Sequence, residues 1–103
     1  MKTIEDYTGR KIRLTAERER HILGHPEMKT MLAGIKQTLL CPEIVVQSLS
    51  DSEANLYYRF YFGTYVGDKF LCVVAKIEAK DAFVLTAYLT DTVKKGVVLW
   101  PEK

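Results

Sequence analysis

The spacing of apolar positions changes once along the chain. Met28, Met31, Leu32, Ile35 and Leu39 recur at helical spacing and make one stripe, with Lys29, Lys36 and Gln37 elsewhere around the helix. Beyond Pro42 the period becomes two, and strands are expected over about 43–49, 55–66, 69–78 and 83–90. A last apolar piece, Val97–Trp100, adds an edge strand after Lys94-Lys95-Gly96. Upstream, Ile4–Tyr7 and Lys11–Leu14 flank a Thr8-Gly9-Arg10 turn signal, which predicts a short hairpin. Thr15 is placed to cap a helix running to about Leu23, its hydroxyl accepting an orphan first-turn N–H. Gly24-His25-Pro26 breaks that helix, because the residue before proline is pushed out of the α region. Pro26 then suits the first position of a second helix, Glu27 favours the positive end of its dipole, and Pro42 ends it. Helices followed by a run of antiparallel strands is an α+β order. The expectation is one domain over 1–103, with the hairpin within 3–14, helices within 15–41 and the sheet within 43–100. Its N-terminal helices pack on a four- to five-stranded antiparallel meander.

Alternation sorts the strand residues into faces. Leu56, Tyr58, Phe60 and Phe62 share one side, and Tyr57, Arg59 and Tyr61 the other. Leu71, Val73, Ala75 and Ile77 oppose Cys72, Val74 and Lys76; Phe83, Leu85, Ala87 and Leu89 oppose Val84, Thr86, Tyr88 and Thr90. The apolar sets are expected to bury against the helix stripe. Val66-Gly67-Asp68-Lys69 reads as a two-residue hairpin turn. Pairing Val66 with Lys69 sets Phe62 opposite Val73, Phe60 opposite Ala75 and Tyr58 opposite Ile77, apolar against apolar, so no bulge at Gly63 is expected. The same register sets Arg59 directly opposite Lys76, a like-charge contact that costs up to about 1 kcal/mol. Either Glu78, diagonal to Arg59, neutralises it, or the two cations are held to bind an anion. A Lys80-Asp81-Ala82 loop, or one two residues longer, brings Lys76 beside Thr86 or Val84. One sheet face then gathers Arg59, Lys76, Thr86, Tyr88 and Tyr57.

Composition narrows the classes. At 103 residues the chain suits one domain, with a radius of gyration of roughly 13 Å. Apolar residues at 48% and charged residues at 27% support a packed core and exclude wholesale disorder. No apolar run approaches the roughly 20 residues of a membrane span, and Met1–Asp6 lacks the layout of a secretory signal. Cys41 and Cys72, both in apolar stretches, are too few for a disulfide scaffold. These features lead us to expect a soluble cytoplasmic protein. Its net charge of +2 is too small to argue for nucleic acid. Its distribution is uneven: residues 1–40 hold 8 basic and 5 acidic side chains, a difference of +3, with both histidines. Arg10, Lys11, Arg13, Arg18 and Arg20 cluster there, either as a solvated face balanced by Glu17 and Glu19 or as a patch that steers an anion.

A phosphate suits the paired cations, Arg offering a planar fork and Lys a point charge. Metal-free RNA cleavage needs a base for the 2′-hydroxyl proton, an acid for the leaving oxygen, and groups that stabilise charge on the phosphorus oxygens. His21 and His25 are the natural acid–base pair, with Glu27 or Tyr88 able to replace one of them, and Thr86 can donate to a non-bridging oxygen. The four-residue spacing of His21 and His25 also suits zinc, but Pro26 interrupts the helix and the third ligand would be Glu27 or Cys41. No metal or cofactor is expected. Glycine-rich phosphate loops, G-x-S-x-G and C-x-x-C are absent. Cys72, between Leu71 and Val73-Val74, reads as packing, and the tyrosines and Trp100 read as sheet packing or as base-stacking groups.

Several stretches together resemble a known family: His21-Ile22-Leu23-Gly24-His25-Pro26-Glu27-Met28, Thr38-Leu39 ahead of Pro42-Glu43-Ile44-Val45, Leu56-Tyr57-Tyr58-Arg59, Leu71-Cys72-Val73-Val74-Ala75-Lys76, and Phe83-Val84-Leu85-Thr86-Ala87-Tyr88. They look like the phage-associated nuclease domains of the barnase–EndoU–colicin–RelE superfamily, small α+β domains whose N-terminal helices precede a four-stranded antiparallel sheet. The resemblance covers about residues 20–90. It implies a metal-independent endoribonuclease, a toxin or phage-associated effector, acting on RNA that is free or ribosome-bound and restrained by an antitoxin-like inhibitor. By position it assigns catalysis to His21, His25, Arg59, Lys76, Thr86 and Tyr88; Tyr57 on the shared sheet face and Arg18 and Arg20 of the basic cluster are expected to contact substrate. A non-catalytic RNA- or ribosome-binding module, or a protein-interaction domain using the same cationic face, is the alternative.

Overall fold

The turn signal at Gly9 forms its hairpin: β1 (Lys2–Glu5) pairs antiparallel with β2 (Lys11–Leu14) in the computed structural model, which describes residues 1–102. Gly9 sits at φ +87°, which side-chain-bearing residues rarely adopt. Thr15 caps α1 (Ala16–Leu23), its hydroxyl accepting the Arg18 N–H at 3.2 Å. The expected second helix from Pro26 is divided. A single 3-10 turn (Pro26–Met28) comes first, and α2 (Leu32–Leu40) follows. The Met28 N–H bonds the His25 carbonyl and the Met31 N–H the Met28 carbonyl, a three-residue spacing that puts both methionines on one side. They bury with Ile35 and Leu39 against the sheet, so the stripe survives the division.

The strands β3 (Ile44–Ser48), β4 (Ala54–Thr64), β5 (Gly67–Ile77) and β6 (Ala82–Thr90) make the expected antiparallel run. The sheet is larger than a four- to five-stranded meander, however. It has seven strands in the order β1-β2-β6-β5-β4-β3-β7, with β7 (Gly96–Trp100) on the far edge beside β3. It is also mixed, since β2 runs parallel to β6 at Arg13 and Phe83. The hairpin joins because Ile4, Ile12 and Leu14 bury in the main core. The Arg13 guanidinium also forks onto Asp81, Nε to Oδ1 at 2.9 Å and Nη2 to Oδ2 at 2.6 Å. The radius of gyration is 12.7 Å.

The β4–β5 register differs from the expected one. Thr64 pairs with Gly67, so Tyr65 and Val66 occupy the turn, and a bulge at Gly63 (φ +65°) shifts the ladder between Tyr61 and Thr64. Tyr58 therefore faces Cys72 and Tyr57 faces Val73. This parity turns β4 over: Tyr57 and Tyr61 join the helix side, while Leu56 and Tyr58 join a second apolar cluster on the other face with Val46 and Cys72. A second irregularity, at Leu85, exchanges Val84 and Phe83, so Ala82, Val84, Ala87 and Leu89 line the helix side and Thr86 and Tyr88 the open face. Among the described residues, no helix is long and apolar enough to cross a membrane.

Candidate functional site

The register separates the two cations expected to clamp an anion. Arg59 lies opposite Leu71 and Lys76 opposite Ala54. They stand five pairs apart, about 17 Å at ordinary strand rise, and on opposite faces. Each has a structural partner. Arg59 Nη1 donates to the Cys41 carbonyl at 2.7 Å, closing the C-terminal end of α2. Lys76 Nζ donates to Asp51 at 2.7 Å, with Glu53 at 3.7 Å, and so ties down the loop between β3 and β4. Lys76 also lies opposite Phe83, not beside Thr86 or Val84.

Tyr57 is likewise removed from any substrate-facing position. Its ring is fully buried on the helix side, and its hydroxyl donates to Asp6 Oδ2 at 2.7 Å. Asp6 is itself 1% exposed. Its Oδ1 accepts from the Thr8 and Arg10 N–H groups and the Thr8 hydroxyl at 2.7–3.0 Å, and Arg10 Nη1 reaches Oδ2 at 3.3 Å. A buried carboxylate is thus satisfied by one turn and one core tyrosine. Arg18 and Arg20 project from the exposed side of α1, with no ion-pair partner among the described residues.

Of the other expected residues, His25, Thr86 and Tyr88 line one groove and His21 stands beside His25. His21 ends the exposed side of α1 and His25 follows its break, their rings edge to face at 5.7 Å. His25 Nδ1 lies 3.9 Å from Glu27 Oε1, and the His25 side chain is 59% exposed. Past Phe83, no strand among the described residues pairs with the outer side of β6; α1 and the 3-10 turn flank it instead. The result is a groove of about 260 Å³ between His25, Glu27 and Met28 on one side and Thr86–Leu89 on the other.

Thr86 and Tyr88 also line a second cleft, of about 420 Å³, on the open face. Across its floor run Leu56 and Val74, and its rim carries Ser48, Ser50, Asp51, Lys94 and Lys95. Beside it Tyr58, Cys72 and Tyr88 form one cross-strand row. Burial, reinforced by Cys72, holds the Tyr88 hydroxyl well above the ordinary tyrosine range, so it keeps its proton and acts as a donor at neutral pH. Burial also raises the Cys72 thiol, as expected of a packing residue.

No family model, curated protein or solved structure matches the chain. An accessible imidazole beside a carboxylate can move a proton, and two hydroxyls two residues apart on one strand can donate to an anion. Among the described residues, no three His, Cys, Asp or Glu side chains stand close enough to hold a metal ion. The chain's fold puts Cys41, one of the two third ligands considered for zinc, at the far end of α2. The sequence pattern marked Lys94 and Lys95 only as part of a turn signal, and gave Asp6 no role in the fold or the site. The adjacent cations before a glycine, and an aspartate opening a turn that ends in Thr8-Gly9-Arg10, were the available cues.

Proposed function

We propose that the protein is a metal-independent endoribonuclease of the barnase–EndoU–colicin–RelE kind, with its site in the groove along β6. The observation carrying this reading is that a single groove combines His25 and Glu27 with Thr86 and Tyr88. His25 takes the proton of a ribose 2′-hydroxyl, whose oxygen bonds to the adjacent phosphorus. The bond from phosphorus to the 5′-oxygen breaks, and His21 or Tyr88 supplies the proton that oxygen needs. Thr86 donates to a non-bridging oxygen as charge develops there. Arg18 lies three residues before His21 on α1, near enough along the helix to draw the phosphate backbone toward the pair. Arg59, Lys76 and Tyr57 have no part in this chemistry. The reading extends to a toxin or phage-associated effector with an antitoxin-like inhibitor, which rests on the family resemblance alone, and to a cytoplasmic setting, which rests on composition.

The test is incubation of purified protein with end-labelled RNA in EDTA. Fragments ending in 2′,3′-cyclic phosphate are expected, His25→Ala should slow cleavage by about 100-fold or more, and whichever of His21→Ala and Tyr88→Phe costs a comparable factor identifies the acid. RNA that binds in a salt-sensitive manner yet stays intact identifies a binding module instead. Cleavage abolished by EDTA identifies a metal-dependent reaction instead.

A further inference from the structure

We propose that the open-face cleft is a nucleotide-binding site, taking a base on its apolar floor and a phosphate on Lys94 and Lys95. The inference does not depend on RNA cleavage in the neighbouring groove. At about 420 Å³ the cleft falls in the range of small-molecule sites. Val74 and the mostly buried Leu56 line it with apolar surface, and Leu49, a large apolar side chain left 74% exposed, lines it as well. A planar ring laid there covers surface that the fold itself leaves wet.

The cations at the rim, like those of α1, are not engaged by a carboxylate among the described residues. Lys2, Arg10, Arg13, Lys69 and Lys76 each have a carboxylate partner, whereas Lys94 and Lys95 have none among the described residues. The loop that carries them is anchored nonetheless. The Lys94 N–H donates to the buried Tyr58 hydroxyl at 3.1 Å, Val93 packs into the second apolar cluster, and Gly96 presses so closely on Gln47 and Val46 that a Cβ has no room. Two adjacent ammonium groups are thus presented on a backbone already ordered, which lowers the entropy cost of holding an anion. Asp51, the one acid on the rim, is engaged by Lys76 and the Glu53 N–H, which reduces its repulsion of a phosphate. Ser48, Ser50 and Tyr88 supply hydroxyls for ribose or base edges.

The shared chemistry is a nucleotide unit, and its source is either a free mononucleotide or one residue of a strand. Amide spectra of the full chain titrated with adenosine 5′-monophosphate should shift at Ser48–Asp51 and at Lys94–Gly96. Inorganic phosphate should bind at least tenfold more weakly, and the double variant Lys94→Ala, Lys95→Ala should weaken the nucleotide at least tenfold. Leu49→Ser, at an exposed position, should weaken the nucleotide but not phosphate. A deoxyribose hexanucleotide, which lacks the 2′-hydroxyl, distinguishes the sources: tighter binding than the mononucleotide indicates a strand, equal binding a free nucleotide, and either upholds the site. Phosphate binding as tightly as the nucleotide, shifts confined to the His21–His25 region, or no shift in the cleft would overturn it.

Discussion

Tyr57→Phe separates a buried structural role from a substrate contact with the loss of one atom. The ring is fully buried and the change leaves its packing intact. It removes the 2.7 Å donor to Asp6 Oδ2, leaving that oxygen with Arg10 Nη1 at 3.3 Å. Hydrogen bonds to charged groups contribute roughly 1.5–3 kcal/mol, so a loss of about 2 kcal/mol is expected. For a domain of this size that lowers the melting temperature by about 8–16 °C. Urea unfolding followed by circular dichroism should show an earlier midpoint at unchanged slope, since the surface exposed on unfolding is the same. RNA binding and cleavage measured well below the transition should equal those of the unmodified chain. An unchanged midpoint with weakened RNA binding would refute the buried assignment and restore Tyr57 to a substrate-facing position.

Three further outcomes are expected. Arg59→Ala should cost about 1 kcal/mol through the lost bond to the Cys41 carbonyl at the end of α2, and leave cleavage unchanged at low temperature; loss of cleavage at full stability would return Arg59 to the site. Gly96→Ala should destabilise by about 1–3 kcal/mol, with faster amide exchange in β7, because the added Cβ meets the Gln47 carbonyl and a Val46 methyl; unchanged exchange would refute that contact. Burial raises Tyr57, Tyr58 and Tyr88 above the ordinary tyrosine value, Tyr58 to about 12. Because these folded-state values lie above the unfolded one, the stability they carry is complete below about pH 10 and is lost as pH rises toward the folded values. Absorbance at the tyrosinate band should therefore rise together with loss of the far-ultraviolet signal, and ionisation near pH 10 in an intact fold would contradict it.

The parts of the site legible in the sequence are those set by local rules. A proline after His25 and a threonine at the head of α1 place the two imidazoles at a helix break, whatever the rest of the chain does. Thr86 and Tyr88 lie two apart on a strand, so they share a face in any register. Arg59 and Lys76 lie on different strands, and their meeting depended on one pairing. The turn chemistry of Gly67-Asp68 and the agreement of apolar sets both argued for that pairing, and both were consistent with a wrong answer. The open-face cleft was not legible, because its rim comes from two loops brought over the sheet by tertiary contacts.

Composition, capping and period were enough to determine that this chain is α+β, where its first helix starts and stops, that a methionine-bearing stripe covers a sheet, and that β5 turns Leu71, Val73 and Ala75 toward it. Only the tertiary structure decided which side of β4 faces the helices and how many strands the sheet gathers. The reason is physical: Leu56–Phe62 carries large apolar side chains on both sides, so a shift of one residue buries nearly as much surface either way. What breaks the tie lies far away in the chain. The Tyr57 hydroxyl finds Asp6 in the hairpin turn, and the Tyr58 hydroxyl finds the Lys94 N–H in the loop before β7. A buried polar group must have a partner, and no local pattern records where that partner will be.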